Sequence, residues 1–124
     1  MANIVNLEQI RAKNACTACE NNSFGGKNKG EIAKKLPRMI RENGMLGTLA
    51  FALDKDEADY EKSFDAIAFH LNHIGKVNST TAKDLLEELL YCKSLQLRDV
   101  TVETMLYLDY FRRFAEKKAG VKNE

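Results

Sequence analysis

The chain has one proline and no tryptophan among its 124 residues, and nowhere do apolar and polar residues alternate for long. A half-buried strand needs that alternation, so its absence speaks against a sheet. Long apolar runs are missing too. None approaches the ~18–20 residues that cross a bilayer, and no membrane partner is expected. The opening MANIVNLEQIRAK lacks the charged start and apolar centre of a secretory leader, so a cytoplasmic location is expected. Glycine-rich phosphate loops of the P-loop or dinucleotide type do not occur, and Ser23 and Ser63 have no nucleophile-elbow flanks. An excess of one charge is lacking as well: 19 basic residues face 18 acidic ones, for a net charge of +1. That excludes a globally basic, histone-like binder, so any contact with nucleic acid has to come from a local patch. Cysteine is scarce and odd in number, three in all, which fits a reducing compartment better than a disulfide scaffold.

What is present is helical period. The length predicts one domain with one core, and the pattern predicts an all-α fold, a compact antiparallel bundle of five or six helices with short connections. Helix one is predicted near Asn6 to Glu20, with Asn6 as N-cap. The polar stretch 21–30 reads as a flexible loop. Helix two runs near Glu31 to Glu42 and stops at Asn43-Gly44, and a short third helix covers Leu46 to Leu53. The fourth starts near Asp56, ends before Gly75 and carries a core stripe of Tyr60, Phe64, Ile67, Ala68, Leu71 and Ile74. Thr81 with Asp84 forms a capping box for the fifth, which carries Leu85, Leu86, Leu89 and Leu90. The last begins near Asp99 or Thr101 and runs to about Ala119, with 120–124 a frayed tail.

The segment Lys34 to Leu53 separates two kinds of side chain. Ile32, Leu36, Met39 and Ile40 share one face at amphipathic spacing. Lys34, Arg38 and Arg41 also recur at i, i+4, i+7, and at about 100° per residue they lie within roughly 60° of one another on the opposite face. A flat cationic face, rich in Arg, matches phosphate; the bland reading is a solvated helix surface. Pro37 leaves the geometry open. It either kinks helix two or sits in the first turn of a helix starting at Leu36, and in the second case Lys34 leaves the stripe.

Other constellations carry two readings each. CTAC (Cys16, Cys19) and HLNH (His70, His73) invite zinc, but the gap between the pairs far exceeds the ~12–15 residues of a finger, and both fall mid-helix. Small core cysteines and a histidine near a helix C-terminus are the better account. No metal, no cofactor and no catalytic residue is expected. In the last helix Tyr107, Tyr110, Phe111 and Phe114 join Val102, Met105, Leu106 and Leu108 over most of the circumference. Such a helix is either central in the bundle or covered by a partner, and the aromatics are candidate interface residues. Arg11 falls on the apolar face of helix one. There it either pairs with a carboxylate or sits at a groove to meet a phosphate or a neighbouring subunit.

LEQIRAKNA (Leu7 to Ala15), KKLPRMIRENGMLGTLAF (Lys34 to Phe51) and TVETMLYLDYFRRFAEK (Thr101 to Lys117) occur in that order, and together they resemble the small α-helical subunit of the Cmr complex, the type III-B CRISPR RNA-guided effector. The matched segments cover about a third of the chain and anchor its beginning, middle and end. The resemblance implies a non-catalytic subunit that stacks in several copies along the guide-binding backbone and helps hold the duplex of CRISPR RNA and target RNA. Its implied partners are other Cmr subunits, copies of itself and the two RNA strands. Arg11, Lys35, Arg38, Arg112 and Arg113 lie inside matching segments and are carried over as RNA-binding candidates. Lys34 and Arg41 join them from the helical stripe.

Overall fold

The computed structural model describes residues 6–21, 31–55 and 58–120. Among them are five helices and no strand: α1 (Leu7–Asn21), α2 (Glu31–Asp54), α3 (Ala58–His73), α4 (Ala82–Tyr91) and α5 (Ser94–Gly120). Residues 22–30 of the loop expected at 21–30, residues 121–124 of the tail expected at 120–124 and the expected helix start at Asp56 lie outside the described residues, while Asn21 and Gly120 belong to α1 and α5 instead.

Local chemistry fixes most boundaries. Asn6 Oδ1 accepts the Gln9 N–H at 3.1 Å and caps α1. Inside α2 the one residue with non-helical dihedrals is Gly44, at φ 84° and ψ 163°. That left-handed value is open to glycine at little cost. The predicted stop at Asn43-Gly44 is therefore a break between two helical halves, 31–43 and 45–54. Pro37 lies within the first half at helical dihedrals, so Lys34 stays in register with Arg38 and Arg41. At the end of α3, Gly75 takes φ 80° while Lys76 N–H donates to Leu71 O at 2.9 Å and Gly75 N–H to Asn72 O at 3.0 Å. This is the Schellman pattern. Thr81 Oγ1 accepts the Asp84 N–H at 3.2 Å, and Asp65 of α3 accepts the Ala82 N–H at 2.7 Å, so α4 is capped from within and from its neighbour.

The start of α5 corrects the sequence reading: the helix begins at Ser94, well before Asp99. The β-branched run Val100 to Val102 masks it. Burial of Val100 and the hydrogen bond from Thr101 Oγ1 to Leu97 O, 2.7 Å, override strand propensity there.

Packing places α5 against α1, α2 and α3, and α4 against α2 and α3. Arg11 meets Glu103 and Cys19 meets Phe111, both across 92 residues, so α1 and α5 run in the same direction. Lys34 meets Glu116 while Arg41 shares a groove with Met105, so α2 runs against α5, as an antiparallel bundle requires. The core holds Leu36, Leu49, Phe64, Ile67, Leu71, Leu85, Leu89 and, from α5, Tyr107, Leu108 and Phe111.

Candidate nucleic-acid interface

Helical spacing puts Lys34, Arg38 and Arg41 on one edge of α2, and the antiparallel pairing brings α5 alongside. Between the two helices lies a groove of about 290 Å³. Lys34, Arg38 and Arg41 line it from one side and Arg112 from the other, around Pro37 and Met105, with Asp109 the one carboxylate among the described lining residues. Four of the seven RNA-binding candidates thus share one site, although α2 and α5 are far apart in the chain. Lys34 Nζ lies 3.0 Å from Glu116 and Arg38 Nε 3.2 Å from Glu42; Asp109 Oδ1 lies 3.4 Å from Arg112 and 3.7 Å from Arg113. All these pairs are solvent-exposed and weak by nature. Among the described residues Arg41 has no ion-pair partner. Arg113 stands at the groove's edge through Asp109, and Lys35 pairs with Glu31 at 3.3 Å outside the lining.

Arg11 takes its other reading. Its Nε and Nη2 each donate to Glu103 at 2.8 Å, a two-point fork with the two side chains only 16% and 4% exposed. Glu103 also accepts from His70 Nε2 at 2.8 Å. On the far side of the imidazole, Asn14 Nδ2 lies 2.9 Å from His70 Nδ1 and 3.1 Å from His73 Nδ1. One amide of α1 is thereby held by both histidines of the HLNH motif. The His70 ring stacks on Tyr107 with centroids 4.5 Å apart. Burial pushes the His70 pKa below its ordinary value and outweighs the pull of Glu103. Burial would raise the Glu103 pKa, but hydrogen bonds from Arg11 and His70 hold it below the usual carboxylate range. With Asn14 donating to Nδ1, the tautomer that fits is neutral, with the proton on Nε2 facing Glu103. Arg11 is therefore committed to the core and stands apart from the groove.

The sequence reading missed Glu103. A signal was there: Glu103, Arg11 and His70 each fall on the apolar face of a different helix, and such residues can only satisfy one another.

The aromatic interface candidates divide. Tyr107 and Phe111 are 0% exposed, so no partner can touch them, and they are core residues. Tyr110 and Phe114 are half-buried against the core, with Tyr110 O–H donating to Glu8 at 2.7 Å. Large apolar side chains that do stand in solvent include Tyr91 at 83% and Leu95 at 78%, with Phe69, Leu90, Val102 and Leu106 about half exposed. Cys19 is buried with its thiol donating to Phe111 O, while the Cys16 thiol donates to Glu20. Among the described residues no three His, Cys, Asp or Glu side chains converge as metal ligands, and no helix is long and apolar enough to cross a membrane.

The class so defined is a small helical bundle protein with a cationic groove between two of its helices. The family model described as CRISPR-associated protein (Cas_Cmr5) matches residues 7–118, and the chain belongs to that family; it is a subunit of a CRISPR Cmr complex, with other Cmr subunits as its partners. The same fold occurs in the X-ray crystal structure of a CRISPR-associated Cmr5 family protein from Thermus thermophilus. That protein is 22% identical, and the match covers 91% of this chain and 96% of that one with a TM-score of 0.75. At that identity the likeness is one of fold. No curated protein matches the chain.

Proposed function

We propose that this Cmr subunit is non-catalytic and holds RNA by its phosphates. Copies stack in a short filament along the guide-binding backbone, and each turns its α2/α5 groove toward the duplex of CRISPR RNA and target RNA. The observation that carries this is the convergence of Lys34, Arg38, Arg41 and Arg112 from two helices on one groove. Arg113 and Lys35 flank it as outer contacts. The near-neutral total charge fits the role, because one cationic face per copy suffices when aligned copies multiply weak contacts. Base pairing between guide and target supplies sequence recognition, so the subunit needs contacts to the phosphate backbone alone. The exposed Tyr91 and Leu95 support protein contacts on another part of the surface, and they equally favour a second reading, a helical adaptor without nucleic-acid contact.

The test is the double variant Arg38→Glu, Arg41→Glu, as full chain and in the assembled complex, measured for RNA binding across a salt series. Two lost phosphate contacts lower the salt slope by about 1.4 on a single strand and about 1.8 on a duplex. Unchanged binding at low salt would leave the adaptor reading standing. Loss of helical signal would show that the two arginines are structural.

A further inference from the structure

Among the described residues, every groove-lining cation except Arg41 already holds a carboxylate of this chain: Lys34 holds Glu116, Arg38 holds Glu42 and Arg112 holds Asp109. Asp109 differs from the other two carboxylates. It lines the groove itself, and a single oxygen, Oδ1, lies between two guanidinium groups, 3.4 Å from Arg112 Nη2 and 3.7 Å from Arg113 Nη2. Strong charge-assisted bonds are shorter, about 2.7–2.9 Å. Asp109 is also half exposed. It holds both arginines loosely, in water, where an ion pair contributes little and exchanges readily. A carboxylate and a phosphodiester offer an arginine the same thing, one negative charge shared by two oxygens. Asp109 therefore occupies the seat that a backbone phosphate bridging Arg112 and Arg113 would take.

We propose that Asp109 is a competing carboxylate, an internal stand-in for phosphate that keeps the RNA affinity of a single copy low. One phosphate exchanged for one carboxylate gains little. A run of phosphates that meets Arg41, Arg38 and Lys34 in the same event displaces Asp109, and copies aligned on one strand do so together. A lone subunit is thus spared capture by stray RNA. This rests on the phosphate reading of the groove.

Asp109→Asn keeps the side-chain shape and removes the charge. Binding of the full chain to single-stranded polyuridine RNA should tighten about threefold to tenfold at low salt, and the salt slope should steepen by about 0.7 for each additional phosphate neutralised. Asp109→Ala should do the same. Glu61→Gln removes an equal charge from α3 in a separate groove, beside Leu53 and Leu86, and should leave the slope unchanged. The proposal is overturned if Asp109→Asn matches Glu61→Gln, or if it weakens binding, which would make Asp109 a residue that aims the arginines. The parent reading fails separately: if Arg38→Glu with Arg41→Glu leaves wild-type binding intact, the groove does not hold RNA. If that double variant weakens binding while Asp109→Asn fails to tighten it, only the role of Asp109 falls.

Discussion

Arg11 and Arg112 are the same side chain in two settings. Arg11 makes two 2.8 Å bonds to one carboxylate in a site where that carboxylate is 4% exposed. Arg112 meets Asp109 once, at 3.4 Å, with the two side chains 36% and 50% exposed. Desolvation separates their fates. A buried ion is stable only beside its partner, so Arg11, Glu103 and His70 fasten α1 and α3 to α5 and none is free for another ligand. In the groove, water screens each pair to about 0–1 kcal/mol, so the arginine can change partners. Both lie inside segments that carry the family resemblance, and burial, which the segment alone does not reveal, tells a structural arginine from one available for RNA.

The largest break in that contrast comes from Glu103→Ala. It strands the Arg11 guanidinium and the His70 N–H in the core, and the expected cost is about 3–5 kcal/mol, a large part of the ~5–15 kcal/mol that holds a domain together. Urea unfolding measures it. A loss under about 1 kcal/mol would mean that water reaches the network and that it resembles the groove after all.

Acid should act on the same network next. The His70 pKa is lowered from 6.5 by burial, so the unfolded chain takes up that proton first as pH falls below about 6.5, and stability declines from there toward the folded-state value. The Glu103 pKa is lowered from 4.5 by Arg11 and His70, so its contribution is present above about 4.5 and is lost as pH falls through the lower folded-state value. The two losses run in the same direction. One proton limits the first decline to about 1.4 kcal/mol per pH unit. His70→Gln removes the titrating group and should flatten the decline near pH 6.5 in a series of urea titrations. An equally steep decline in that variant would place the titration elsewhere.

Much of this was legible in the residues because it is local. Asn6, Thr81 and Gly44 mark helix boundaries through chemistry that spans three or four residues, and the stripe of Lys34, Arg38 and Arg41 needs only the helical period. The start of α5 was hidden, since Val100 to Val102 prefer strand and their helical state depends on packing of Val100 that no local rule supplies. The same limit applies to the aromatics. A helix apolar almost all round does not declare which arc faces inward, and α5 turns Tyr107 and Phe111 into a core built against three neighbours. The groove lay between these cases. Its α2 edge was readable, but the presence of Arg112 opposite and of Asp109 within depends on how α5 docks.

The smallest effect tests the groove side of the comparison. Lys34→Ala and Arg112→Ala each delete one exposed pair, with Glu116 and with Asp109. Neither leaves a buried charge behind, because the surviving carboxylate is already in water. Stability should change by less than about 0.5 kcal/mol in either variant. A cost above about 1 kcal/mol for Arg112→Ala, seen as a shifted urea midpoint at constant m-value, would mean that the α2/α5 contact depends on this arginine. Exchange with phosphate would then loosen the bundle each time RNA bound. A near-zero cost leaves the groove's cations free to serve a ligand without disturbing the fold that presents them.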